Sequence, residues 1–92
     1  MYYSIMEQRG WNQTARISYR ALDLHAQESV ERALQSRTLD EIIADSKKIK
    51  DDIFVYRISP FLRILLKREG TSIKILDILD KRLVDAFYGR AN

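Results

Sequence analysis

No glycine and no proline interrupts residues 11–59; the three glycines stand at 10, 70 and 89 and the single proline at 60. A stretch so poor in breakers must be built from long regular elements, with the few breakers at its boundaries. Within it the apolar residues Ala15, Tyr19, Leu22, Ala26, Val30 and Ala33 recur at intervals of 4, 3, 4, 4 and 3. That is the spacing of one helix face. It predicts a long helix capped by Asn12 or Thr14 and running to about Ser36, with alanines that let a second helix approach closely. Ile17, Ala21 and Leu24 form a second apolar face at its first half, which should be covered as well.

"TLDE" at 38–41 reads as a capping box, Thr38 capping and Glu41 answering three residues on. From there Leu39, Ile42, Ser46, Ile49, Ile53 and Tyr56 repeat at 3, 4, 3, 4 and 3. This predicts a second long helix ending before Pro60, folded antiparallel onto the first. In "RISPFLRILLKREGTS" (57–72) Ser59 can cap, Pro60 suits a first helical position and Gly70 can end the element. A short apolar helix is expected over 60–69. An amphipathic fourth helix is expected from Ile73 to Tyr88, with Ile75, Leu76, Leu79, Leu83, Ala86 and Phe87 on one face. Lys74, Asp77, Lys81 and Asp85 would form a solvated, mutually paired stripe on the other.

The expected fold class is therefore all-α, a four-helix bundle-like single domain spanning 1–92. Its head, residues 1–11, is aromatic-rich, with Tyr2, Tyr3, Ile5, Met6 and Trp11. A competing reading takes "IFVYRI" (53–58) and "SIKILDI" (72–78), both rich in β-branched and aromatic residues, as paired strands of a small α+β fold. The unbroken stripe into Tyr56 and the amphipathic run through Phe87 favour helices.

Several chemistries fall away on composition. There is no cysteine, which excludes disulfides, thiolate nucleophiles and Cys-based metal sites. With one histidine, His25, no metal site is expected, and no cofactor. The three isolated glycines make no phosphate-cradling loop. Adjacent carboxylates such as Asp40–Glu41 and Asp51–Asp52 diverge on a helix. "RALDLH" matches the Arg-x4-His spacing of HEPN-type ribonucleases through Arg20 and His25, and "AQESVERAL" is similar to a helix of that family. On one straight helix, however, residues five apart point about 140° from each other. The opening of "TLDEIIADSKKIKDDIFVYRI" resembles the first part of a helix-turn-helix, but residues 45–50 lack a sharp turn. No enzyme is expected. At 46% hydrophobic and 32% charged, the chain is globular in composition rather than disordered. It shows no secretory signal and no run of apolar residues long enough for a membrane, so a cytoplasmic protein is expected.

Function must then lie in surfaces. On a helical wheel Phe61, Leu62, Ile64, Leu65 and Leu66 cover about 200° of arc, too much to leave a polar face for reading bases. The 60–69 segment is built to be surrounded. The expected function is a small interaction or regulatory module, a homo-oligomer or the subunit of a larger assembly. Its protein interface would be Phe54, Val55, Ile58, Leu62 and Leu66. The alternative is a nucleic-acid-binding regulator. Residues 60–92 carry seven basic and four acidic groups, against balanced charge elsewhere. Arg63, Lys67, Arg68 and Lys74 would then contact phosphate, with Arg82, Tyr88 and Arg90 beyond.

Overall fold

In the computed structural model, residues 10–82 are described. They form α1 (Gln13–Ala21), α2 (Leu24–Gln35) and α3 (Leu39–Ala44), then β1 (Lys47–Lys50), β2 (Ile53–Arg57), β3 (Leu62–Glu69) and β4 (Ser72–Asp80). The strands make one antiparallel sheet in the order β1-β2-β3-β4. The all-α expectation is overturned: residues 47–80 are a meander with the described helices packed on one of its faces. The strands of the competing α+β reading are present, but β3 lies between β2 and β4, so 53–57 and 72–80 do not pair with each other.

Each correction has a local cause. The first long helix is two. Leu22 turns extended (ψ 150°), and Asp23 caps a new helix by accepting from the Ala26 N–H at 2.8 Å. The Gln27 amide donates across the break to the Tyr19 carbonyl at 3.0 Å. Asn12 caps α1, accepting from Ala15 N–H at 2.8 Å. The capping box at Thr38 and Glu41 forms as the sequence predicts. The long helix expected beyond the box does not form: it stops at Ala44, and Asp51 (φ +32°) turns β1 into β2. Ser59 does cap, but a turn rather than a helix, since its hydroxyl accepts from the N–H groups of Phe61 and Leu62, each at 3.2 Å. Gly70 (φ +63°) is the first of two loop residues between β3 and β4, a position that type II′ hairpin turns give to glycine. The expected charge stripe of the fourth helix is dissolved, because Lys74 and Asp77 sit on a strand. The expectations for Tyr2, Tyr3, Ile5, Met6, Leu83, Asp85, Ala86, Phe87, Tyr88 and Arg90 concern residues outside those described.

The core lies between the sheet and the helices. Val30 and Leu34 of α2 and Ile42 of α3 meet Ile64, Leu66 and Ile75 of the sheet. Trp11 is buried against the core, edge-on to Tyr19 at 5.4 Å between ring centroids. Residues 10–12 run beside β4: the Ile75 N–H donates to the Gly10 carbonyl (2.9 Å) and the Asn12 N–H to the Ile75 carbonyl (3.0 Å). That covers part of one sheet edge. The other edge, β1, is short, exposed and carries Lys47, Lys48 and Lys50, a common guard against unwanted strand pairing. Among the described residues no helix is long and apolar enough to cross a membrane.

Candidate functional site

Strand alternation decides which side chains the sheet turns away from its core. On β3, Leu62, Ile64 and Leu66 face the helices, so Arg63, Leu65 and Lys67 face outward. Their partners extend this outer face across the sheet. Arg57 pairs with Arg63, Val55 with Leu65 and Ile53 with Lys67. Leu79 pairs with Arg63 and Lys74 with Lys67. Lys47, opposite Val55, adds β1. No described element covers this face. Its centre is the half-buried Val55–Leu65 pair, with Ile53 and Leu79 beside it, and the basic residues surround that centre.

The charge on this face is unbalanced by construction. Arg57 against Arg63 and Lys67 against Lys74 place like charges on opposed positions, which costs stability in an isolated sheet. Asp77, opposite Leu65, is held at the β4 edge instead. Its carboxylate accepts from the Ser18 hydroxyl of α1 at 2.5 Å and from the Ile78 N–H at 2.8 Å. Glu69 sits at the hairpin end, opposite Ser72. A surface of this kind suits an acidic or phosphate-bearing occupant with some apolar content.

The structure divides the residues singled out in the sequence. Leu62 and Leu66 are core, 3% and 0% exposed. Phe54, opposite Leu66, and Ile58 pack against the core and are half-buried. Val55 alone of those five lies on the outer face. Arg63, Lys67 and Lys74 come together there. Arg68, exposed, has the opposite parity at the strand end and donates from Nε to the Gly70 carbonyl at 3.2 Å. Lys47, Arg57, Leu65 and Leu79 were missed. The signal that finds Arg57 and Leu65 is the period of two in "IFVYR" and "LRILLKRE"; Lys47 lies on a strand exposed at all four positions and Leu79 beyond the bulge that breaks the alternation of β4, so no such signal marks them.

Two arginine clusters brace the sheet against the helical layer. Arg37, between α2 and α3, donates to the Tyr56 hydroxyl at 3.1 Å and pairs with Asp45 at 2.5 Å. The bonds to Asp45 and then Tyr56 push its pKa above the ordinary guanidinium value. Arg82 makes a two-pronged bond to the buried Asp80 (3.1 and 2.9 Å), lies 3.8 Å from Asp23 and stacks over Phe61. Asp80 is the main cause of its raised pKa. Arg20 and His25, the ribonuclease-like pair, are exposed on either side of the α1–α2 break. Tyr19 hydrogen-bonds Glu31, which ties α1 to α2.

No family model matches this chain, and no curated protein matches it in sequence. Solved structures do. A chain of the toxin–antitoxin complex RelBE2 from Mycobacterium tuberculosis superposes with a TM-score of 0.67 at 19% identity, over 76% of this chain and 91% of that one. A chain of the RelB–RelE antitoxin–toxin complex from Methanococcus jannaschii gives 0.61 at 15% identity, over 86% and 98%. What they share with this chain is the fold. Both neighbours were solved in complex with a protein partner, and at these identities the likeness carries architecture and nothing finer.

Proposed function

We propose that this chain is one half of a two-protein pair of the toxin–antitoxin kind, and that it takes the toxin's part. The observation that carries the reading is the outer face of the sheet, which no described element covers, basic at its rim and apolar at Val55 and Leu65. A toxin acts after its antitoxin has gone, so it must fold alone and carry an exposed working surface. This chain has a continuous core of its own and such a surface. The partner that neutralises it would be an acidic segment laid across that face, with apolar side chains over Val55 and Leu65. Leu62 and Leu66 act from beneath by holding β3 in place.

A second reading is favoured by the same gathering of Lys47, Arg57, Arg63, Lys67 and Lys74 on one face. Once the partner leaves, these residues are placed to contact the phosphates of a nucleic acid without reading its sequence. Binding of that kind falls steeply with salt.

Inducible expression of the chain in a bacterial host tests the proposal. Growth arrest by the native chain, relieved in an Arg63→Glu, Lys67→Glu variant that still melts cooperatively, is the expected result. Unimpaired growth with abundant folded protein would remove the toxin reading. Binding of an RNA oligonucleotide that is abolished in the same variant would support the second reading, and salt-independent binding would count against it.

A further inference from the structure

On the side of the molecule where α2 ends against the end of β2, a cup of about 290 Å³ opens to solvent. Ser29, Arg32, Ala33, Ser36, Arg37, Tyr56, Ile58 and Ser59 line it, and no acidic side chain is among them. It is separate from the outer sheet face: Tyr56, paired with Ile64, faces the helical layer.

The polar groups divide into those already engaged and those with a proton left to give. The Ser29 hydroxyl donates to the His25 carbonyl at 3.1 Å and the Ser36 hydroxyl to the Arg32 carbonyl at 2.7 Å. Both serines are thereby spent, and the second, together with the Ser36 N–H on the same carbonyl, blunts the negative end of α2. Tyr56 is different. It is 5% exposed, and its hydroxyl oxygen accepts from Arg37, so the phenolic proton remains for an acceptor. The Ser59 oxygen accepts from two backbone N–H groups, which leaves its proton as well. Arg32, exposed in the last turn of α2, adds a guanidinium. Arg37 serves chiefly to orient the Tyr56 hydroxyl, with Asp45 holding the other side of its fork.

We infer that this cup is a binding site for a tetrahedral oxyanion, a phosphate group, held by Arg32, Tyr56 and Ser59. Donors approaching from α2, from β2 and from the β2–β3 turn match an acceptor with oxygens in several directions. A carboxylate presents its two in one plane and is met best by a single planar fork. The apolar wall of Ala33 and Ile58 limits the site to a small group.

Titration of the full chain with inorganic phosphate tests this, followed by calorimetry and by the backbone amide resonances of Tyr56 and Ser59, at constant ionic strength held with chloride. Saturable binding is expected, with sulfate a substitute and acetate a poor one. Arg32→Gln and Tyr56→Phe should each weaken it by about tenfold. Arg32→Gln removes no side-chain hydrogen bond or ion pair among the described residues, so its melting temperature without phosphate should lie close to the native chain's; it remains decisive even if Tyr56→Phe is destabilised. The outer-face variant with Arg63→Glu and Lys67→Glu should bind phosphate as the native chain does. No saturable binding would overturn the site. So would binding lost in the outer-face variant but kept in Arg32→Gln, which would mean adventitious ion pairing on a basic chain.

Discussion

Leu66 and Val55 belong to β3 and β2, separated in the sheet by one register step, yet their side chains have opposite duties. Leu66 is fully buried beneath the helices, and Val55 faces outward beside Leu65. Leu66→Ala should therefore cost about 2–5 kcal/mol, the range for a buried leucine whose surroundings relax only in part. Urea unfolding followed by circular dichroism measures it, and a cost under about 1 kcal/mol would place Leu66 outside the core. Val55→Ala removes less surface from water and should cost about 1 kcal/mol or less. Its effect should appear in partner binding instead. The Arg37 and Arg82 clusters behave differently with pH. Both guanidinium pKa values are raised, so the stability they add is complete below the ordinary guanidinium range and is lost only in strong alkali. Titrating these arginines should add no slope to stability between about pH 6 and 9.

At the scale of elements, the turn chemistry was legible and the periodicity misled. Asn12, the Thr38–Glu41 box and the boundary role of Gly70 are readable in the sequence and stand in the structure. The helix read through residues 38–56 failed because Leu39, Ile42, Ser46, Ile49, Ile53 and Tyr56 keep a helical spacing across a real boundary. The bulge on β1 between Lys48 and Lys50, and the turn at Asp51, insert residues that mimic it. β4 shows the effect most clearly. A bulge opposite Leu65 and Leu66 shifts its buried set from Ile73 and Ile75 to Ile78 and Asp80. The resulting spacing of 2, 3 and 2 breaks the alternation by which a strand is recognised. The candidate surface was lost with it: Arg63, Lys67 and Lys74 are visible as basic residues, but their common face with Arg57 and Lys47 exists only in the strand register. The Gly70 turn offers a test at this scale. A Cβ there would meet nothing within 4 Å, so the cost of Gly70→Ala comes from its positive φ alone. About 1 kcal/mol is expected, with Gly70→Asn milder because asparagine tolerates the left-handed region. A neutral Gly70→Ala would mean that the hairpin adopts another turn.

At the scale of the whole molecule, a short piece of chain reinforces the junction between helical layer and sheet. Residues 10–12 bond to Ile75 on the sheet, Asn12 caps α1, and Trp11 enters the core beside Tyr19. Helical layer and sheet share one buried cluster, and the only tryptophan in the sequence is part of it. If that cluster is a single cooperative unit, its loss must be felt at once by the indole and by the backbone of both layers. Tryptophan emission and far-ultraviolet circular dichroism should then give coincident urea transitions, with one midpoint and one slope of about 1 kcal/mol per M, as expected for a small domain. An emission change that precedes the loss of circular dichroism would show that residues 10–12 detach from β4 while the meander stays folded. The buried indole N–H is the weak point of this junction, because among the described residues Trp11 Nε1 has no hydrogen-bond partner and the bridge to Ile75 holds it in place despite that deficit. Trp11→Phe keeps an aromatic ring and removes the unpaired donor. Removal of the unpaired donor then offsets part of the packing lost with the larger ring, so the unfolding free energy in urea should change by no more than about 1 kcal/mol, and a larger loss would mean that the packing or bonding of the indole carries the junction.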